Sequence, residues 1–99
     1  MLAGIKYNFS AKIWKYESDG GWHFISLPEE IAKEIRENLG WQEEAWGRLK
    51  VNAKIGNSSW ETSIWFDKKL NTYLLPLKVK IRKEANIEVG QVIKVVLNI

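Results

Sequence analysis

The chain holds one histidine, His23, set between Trp22 and Phe24 in the stretch GGWHFISLPEE. A single imidazole works as a general base only where a nucleophile and an orienting carboxylate reach it, and such triads are defined by geometry rather than by chain order. Ser58 or Ser59 with Asp67 would complete one, but no Gly-x-Ser-x-Gly elbow surrounds either serine. With no second histidine and no cysteine, no usual zinc set can be assembled around His23. The pairs Glu29-Glu30 and Glu43-Glu44 are adjacent, so on a helix they diverge, and acids in a first turn are explained by the backbone dipole. DGG and GNSS precede no Gly-Lys-Ser/Thr and are not phosphate loops. These residues predict a structural, hydrogen-bonding His23 and a non-catalytic protein without metal or cofactor.

Two sets point instead to binding. Arg48, Lys50 and Lys54 alternate along one strand face, and Lys78, Lys80 and Arg82 along another, with no acid interleaved. If those strands are neighbours, the six cations form a patch suited to phosphates, although lysines on a solvent face also guard sheet edges. The second set comes from six tryptophans. Trp22 and Trp60 fit core faces, while Trp41 and Trp46 fit a linker packed on the barrel end. Trp14 and Trp65 fall out of phase with the buried side chains. Two outward indoles, with His23 nearby, would suit stacking on a base, a sugar or a partner protein, unless that face is also covered.

Period-two alternation sets the elements that must position these groups. Ile5, Tyr7, Phe9, Ala11 and Ile13 share one face of a first strand, SDGG turns it, and WHFISL follows as a second. Ser26 and Glu29 fit a capping box around Pro28, Ile31, Ile35 and Leu39 form one apolar helical stripe, and Gly40 fits a left-handed cap. Strands follow with Leu49, Val51, Ala53 and Ile55 inside, then Trp60, Thr62, Ile64 and Phe66, with GNSS as the turn between them. Leu75, Leu77, Val79 and Ile81 alternate with Pro76, Lys78, Lys80 and Arg82 as a further strand, with Pro76 at an edge or bulge. Ile93, Val95, Leu97 and Ile99 close the sheet.

At 99 residues with 45% apolar and 27% charged, the chain fits a single domain, 1–99, of ordinary soluble composition. The absence of cysteine and of any long apolar run predicts a cytoplasmic protein without membrane contact, and a monomer is expected because one chain supplies both halves of an internal repeat. Net charge is +3, unevenly placed. Residues 29–44 hold six acids against two bases, and the remainder thirteen bases against six acids. An acidic helix and a basic remainder follow.

HFISLPEEIAKEI can be laid on YLLPLKVKIRKEA without a gap, matching Leu27 to Leu77, Ile31 to Ile81, Lys33 to Lys83 and Glu34 to Glu84. Each segment follows a hairpin with an Ile-Trp pair, Ile13-Trp14 or Ile64-Trp65, which predicts a pseudo-twofold with halves near 5–40 and 48–99. FISLPEEIAKEIRENLG resembles the strand, proline, helix and glycine unit of AbrB- and MazE-type swapped-hairpin proteins. IW, GGWHFISLP, TSIWFDKK and YLLPLKVKIRK together resemble a prokaryotic family of about 100 residues known only as a domain of unknown function. Its members sometimes occur joined to a YdeI-like, OmpD-associated domain linked to bacteriocin protection. The resemblance implies a mostly β, double-split β-barrel with one amphipathic capping helix, and no activity, substrate or cofactor. The leading expectation is a binding module whose basic sheet face meets nucleic acid. The alternative is a protein- or small-ligand-binding domain using the surface tryptophans, or an accessory domain to a neighbouring enzyme.

Overall fold

Six strands, two helices and a 3-10 turn make up the computed structural model, which describes residues 4–16, 21–44 and 47–99. In chain order these are β1 (Lys6–Lys15), β2 (His23–Ser26), α1 (Glu29–Leu39), the 3-10 turn Gly40–Gln42, β3 (Arg48–Ile55), β4 (Ser58–Asp67), β5 (Thr72–Pro76), α2 (Val79–Glu84) and β6 (Val92–Asn98). All pairings between strands are antiparallel, and the order β1-β2-β5-β4-β3-β6 closes back on β1 as a barrel. Closure removes the sheet edges that would otherwise template aggregation.

The period-two pattern decides which side chains fill the barrel. Along β3, Leu49, Val51, Ala53 and Ile55 are buried while Arg48, Lys50, Asn52 and Lys54 are exposed. Ile13, Ile25, Ile64, Leu75, Val95 and Leu97 meet them inside, and α1 adds Ala32, Ile35 and Leu39 to the same core. The helix thus covers the barrel with the stripe its sequence spacing offered. Among the described residues no helix is long and apolar enough to cross a membrane.

The registers repeat about a pseudo-twofold. Trp14–Phe24 of the β1–β2 ladder recurs as Trp65–Leu74 of β4–β5, and Lys12–Val92 of β1–β6 recurs as Ser63–Lys50 of β4–β3. Ile25 pairs directly with its counterpart Leu75, and Lys54 with its counterpart Val96, so the axis passes through the β2–β5 and β3–β6 ladders. Leu27 N–H donates to Tyr73 O while Leu77 N–H donates to His23 O, the same bond made twice. Both helices begin alike, with Ala32 N–H on Pro28 O at 2.9 Å and Arg82 N–H on Lys78 O at 3.0 Å.

Several sequence expectations are corrected. The segment after Pro76 is not a strand: β5 ends there and Val79–Glu84 is helical, burying Ile81 as α1 half-buries Ile31. Lys78, Lys80 and Arg82 therefore share no sheet face, and β4 separates β3 from β5. Pro76 does lie at a local edge, as expected: β4 pairs with β5 only as far as Leu74, so no strand pairs with Pro76 on that side. It is tolerated because it faces Phe24 on β2, with the Leu77–His23 bond on one side, which turns its nitrogen away from β2. Ser26 makes no capping bond. Gly40 is right-handed at φ −57°, because the chain runs on into the 3-10 turn. Trp22 and Trp41 are 59% and 78% exposed rather than packed, Trp41 donating to Asn38 O at 3.1 Å. Trp46 and most of the SDGG turn lie outside the described residues.

Candidate functional site

A groove forms where two neighbouring strands part. β4 has ten residues, but only Trp65, Phe66 and Asp67 pair with β5; the rest of β4 pairs with β3 alone. As β5 ends at Pro76 and the chain turns into α2, an open groove of about 640 Å³ remains on the outer surface. Trp65 and Pro76 line it together with the cations Arg48, Lys50 and Lys78, and it also carries one carboxylate, Glu61, and the amides of Asn52 and Asn98.

Among the described residues, the three cations have little to hold them. Lys50 Nζ stands 4.0 Å from a Glu44 carboxylate, with both side chains mostly in solvent, a geometry worth little in stability. Nor does the repeated fold require them. Continuing the pseudo-twofold, Gly90, Val92 and Pro28 occupy the positions equivalent to Arg48, Lys50 and Lys78, while Lys94 and Lys12 take those of Asn52 and Ser63. The halves share a backbone plan and differ in where charge is placed on it.

The other expected site residues disperse. Lys54 is exposed further along β3, and Lys80 is exposed on α2, both outside the groove. Arg82 is half-buried, its Nη1 donating to His23 Nε2 at 3.2 Å and its Nε to Leu77 O at 3.3 Å. A guanidinium only donates, so Nε2 accepts and Nδ1–H donates to Gly21 O at 2.7 Å. His23 is thereby a clasp between β2 and α2. Asp67 Oδ1 accepts from Leu70 N–H at 3.0 Å in the β4–β5 turn, so His23 and Asp67 serve separate local structures.

Trp14 and Trp65 are counterparts on the outer surface but differ in freedom. Trp14 Nε1 donates to Ser26 Oγ at 2.8 Å, and its ring packs on Phe24 and Tyr16 at 5.2 and 5.5 Å. Trp65, paired with Leu74, has Pro76 where Trp14 has Ser26, and Pro76 offers no hydroxyl. Its ring stands edge-on to Phe24 at 5.5 Å, and with Tyr16, Trp22 and Phe24 it lines an open aromatic slot of about 280 Å³. Tyr16, Trp22 and Phe24 were not among the expected site residues, although Trp22 and Phe24 alternate with inward Ile25 and so belong outside.

The opposite end of β5 is tightly tied. Tyr73, buried, donates its hydroxyl to Glu43 Oε2; Arg36 Nε lies 3.6 Å from the same oxygen, and its guanidinium sits 3.9 Å above the Phe66 ring. Burial, then the hydrogen bond and charge of Glu43, hold the Tyr73 phenol well above its ordinary range, only partly offset by Arg36. Burial and the Glu34 charge also push Tyr7 upward, against a lowering contribution from Asn38. The contacts among Tyr73, Glu43, Arg36 and Phe66 fasten α1 and the 3-10 turn to the barrel.

The sequence pattern of one protein family, the domain of unknown function DUF1905, matches residues 9–97, which takes in all of the groove but part of its rim. No curated protein matches the chain.

Proposed function

The chain belongs to the DUF1905 family, which carries no assigned activity, and from that premise we propose that it is a non-catalytic module that binds single-stranded nucleic acid along the groove that opens where β4 and β5 part. The observation that carries this reading is the meeting of Arg48, Lys50 and Lys78 with Trp65 in one concavity. Proteins that hold single strands combine a cationic track for phosphates with aromatic faces for bases, and both are present at a width open to solvent. Guanidinium and ammonium groups without strong internal partners lose little when they turn to phosphate. Asn52, Glu61 and Asn98 add donors and acceptors for sugar or base edges.

Anisotropy of labelled single- and double-stranded DNA and RNA, titrated at low and near-physiological salt, tests it. Binding of single strands that weakens steeply with salt is the expected result. The alternative reading, a protein- or small-ligand-docking surface, is favoured by the exposed Trp22. It predicts tryptophan quenching by a ligand without salt dependence.

A further inference from the structure

Resting on that reading of the groove, we infer that the aromatic slot beside it receives one unpaired nucleobase of the bound strand. Four aromatic side chains line the slot, and no charged group among the described residues does. The Trp22 and Phe24 rings lie within 12° of parallel with centroids 6.3 Å apart, while Trp65 and Tyr16 stand at 88° and 76° to Phe24. Phe24, buried, is the floor of the slot, and the exposed Trp22 ring offers the flat apolar face on which a planar heterocycle stacks, with Tyr16 and Trp65 beside it. Trp22 keeps 59% of its surface in water, an exposure that a stacked ligand would relieve.

Trp65 decides which planar or cationic ligand fits. It is a wall of both slot and groove, so a base held in the slot keeps its flanking phosphates beside Arg48, Lys50 and Lys78. Aromatic cages elsewhere take quaternary ammonium groups, but the three neighbouring cations outnumber the one groove carboxylate, Glu61, and so repel such a ligand here and attract an anionic strand. A base inside a duplex is already stacked and cannot enter. The slot therefore selects single strands, and requires a base rather than a backbone alone.

The test compares a base-bearing oligonucleotide of about ten nucleotides with an abasic strand of equal length, each titrated against the protein and its Trp22→Leu variant. The base-bearing strand is expected to bind roughly tenfold or more tightly than the abasic one. Trp22→Leu should abolish most of that difference while leaving abasic binding unchanged, which also shows that the variant is folded. Equal, salt-dependent binding of both strands overturns the slot and leaves the groove reading intact. A base preference that Trp22→Leu does not touch places the base on Trp65 alone and likewise overturns the slot. No salt-dependent binding of either strand removes both readings.

Discussion

Arg48 stands directly opposite Trp65 in the β3–β4 ladder, so a guanidinium and an indole leave the barrel side by side on its outer surface. Residues so paired bring their Cβ atoms to roughly 5 Å, close enough to act on one ligand. The pair sits where β4 begins to lose β5 as a neighbour, and Lys78 reaches the same place because the chain turns into α2 there. Charge and aromatic surface, which could have been alternatives, line one groove at this point.

Charge removal should matter by place rather than by number. Lys54→Ala and Lys80→Ala each remove one positive charge outside the groove and are expected to leave single-strand affinity within about twofold at near-physiological salt, where screening acts over about 8 Å. Lys78→Ala should weaken binding more, and about equally for strands of any sequence, as a phosphate contact does. Anisotropy titrations of the three variants check this; equal losses in all three would reduce the site to net charge.

His23→Ala should cost stability and spare binding. It removes the acceptor of Arg82 Nη1 and the donor to Gly21 O, for an expected loss of about 1–3 kcal/mol in urea unfolding. Groove affinity should be unchanged in the folded variant. Loss of affinity without loss of stability would make His23 a ligand-binding residue after all.

Stability should fall in alkali. The phenols of Tyr7 and Tyr73 are held above their ordinary value near 10, so their stabilising effect is complete below that pH. Above it the unfolded chain ionises first, and each raised phenol removes up to about 1.4 kcal/mol per pH unit until the folded form ionises too. Thermal melts from pH 8 to pH 12 should show the decline, and Tyr73→Phe should make it shallower. An identical alkaline slope in Tyr73→Phe would exclude Tyr73 as its source.

Two glycines separate backbone strain from crowding. Gly47 and Gly56 are both left-handed, at φ 67° and 59°. A Cβ on Gly47 would sit 3.4 Å from Glu43 Oε1 and 3.5 Å from Phe66 Cβ, whereas one on Gly56 meets nothing within 4 Å. Gly56→Ala should cost about 1 kcal/mol of left-handed strain, and Gly47→Ala more, since it also presses on the residues around Tyr73. Urea midpoints in the reverse order would contradict this account.

Much of the barrel was legible because its strands are long and one-sided. The alternation in residues 48–55 gives burial residue by residue, and Ile31, Ile35 and Leu39 give the helix. The segment after Pro76 misled for a physical reason: Leu75, Leu77, Val79 and Ile81 alternate as a strand would, and over so few residues a single helical turn cannot be told from a strand. The match of Leu77 to Leu27 and Ile81 to Ile31 carried the better signal, since it lays Val79–Glu84 on a helix. The groove itself was only partly legible. Arg48 and Lys50 could be placed on one face from local pattern, but their meeting with Lys78 depends on β4 separating from β5, a long-range pairing that no local spacing records. Trp22 does share a face with Phe24, but that face is the outer one, because Ile25 fills the inner face of β2.

The most direct test is the salt-dependent binding of a single-stranded oligonucleotide by the protein and by the variant Arg48→Ala/Lys50→Ala/Lys78→Ala. All three substitutions are of groove-lining residues outside the core, so the variant should unfold as the parent does. The account predicts that the parent binds at low salt with a log–log salt slope, and that the variant loses about 0.7 from that slope for each phosphate contact removed. Binding by the variant with the parent's affinity and slope, or no binding by the parent at low salt, would contradict it.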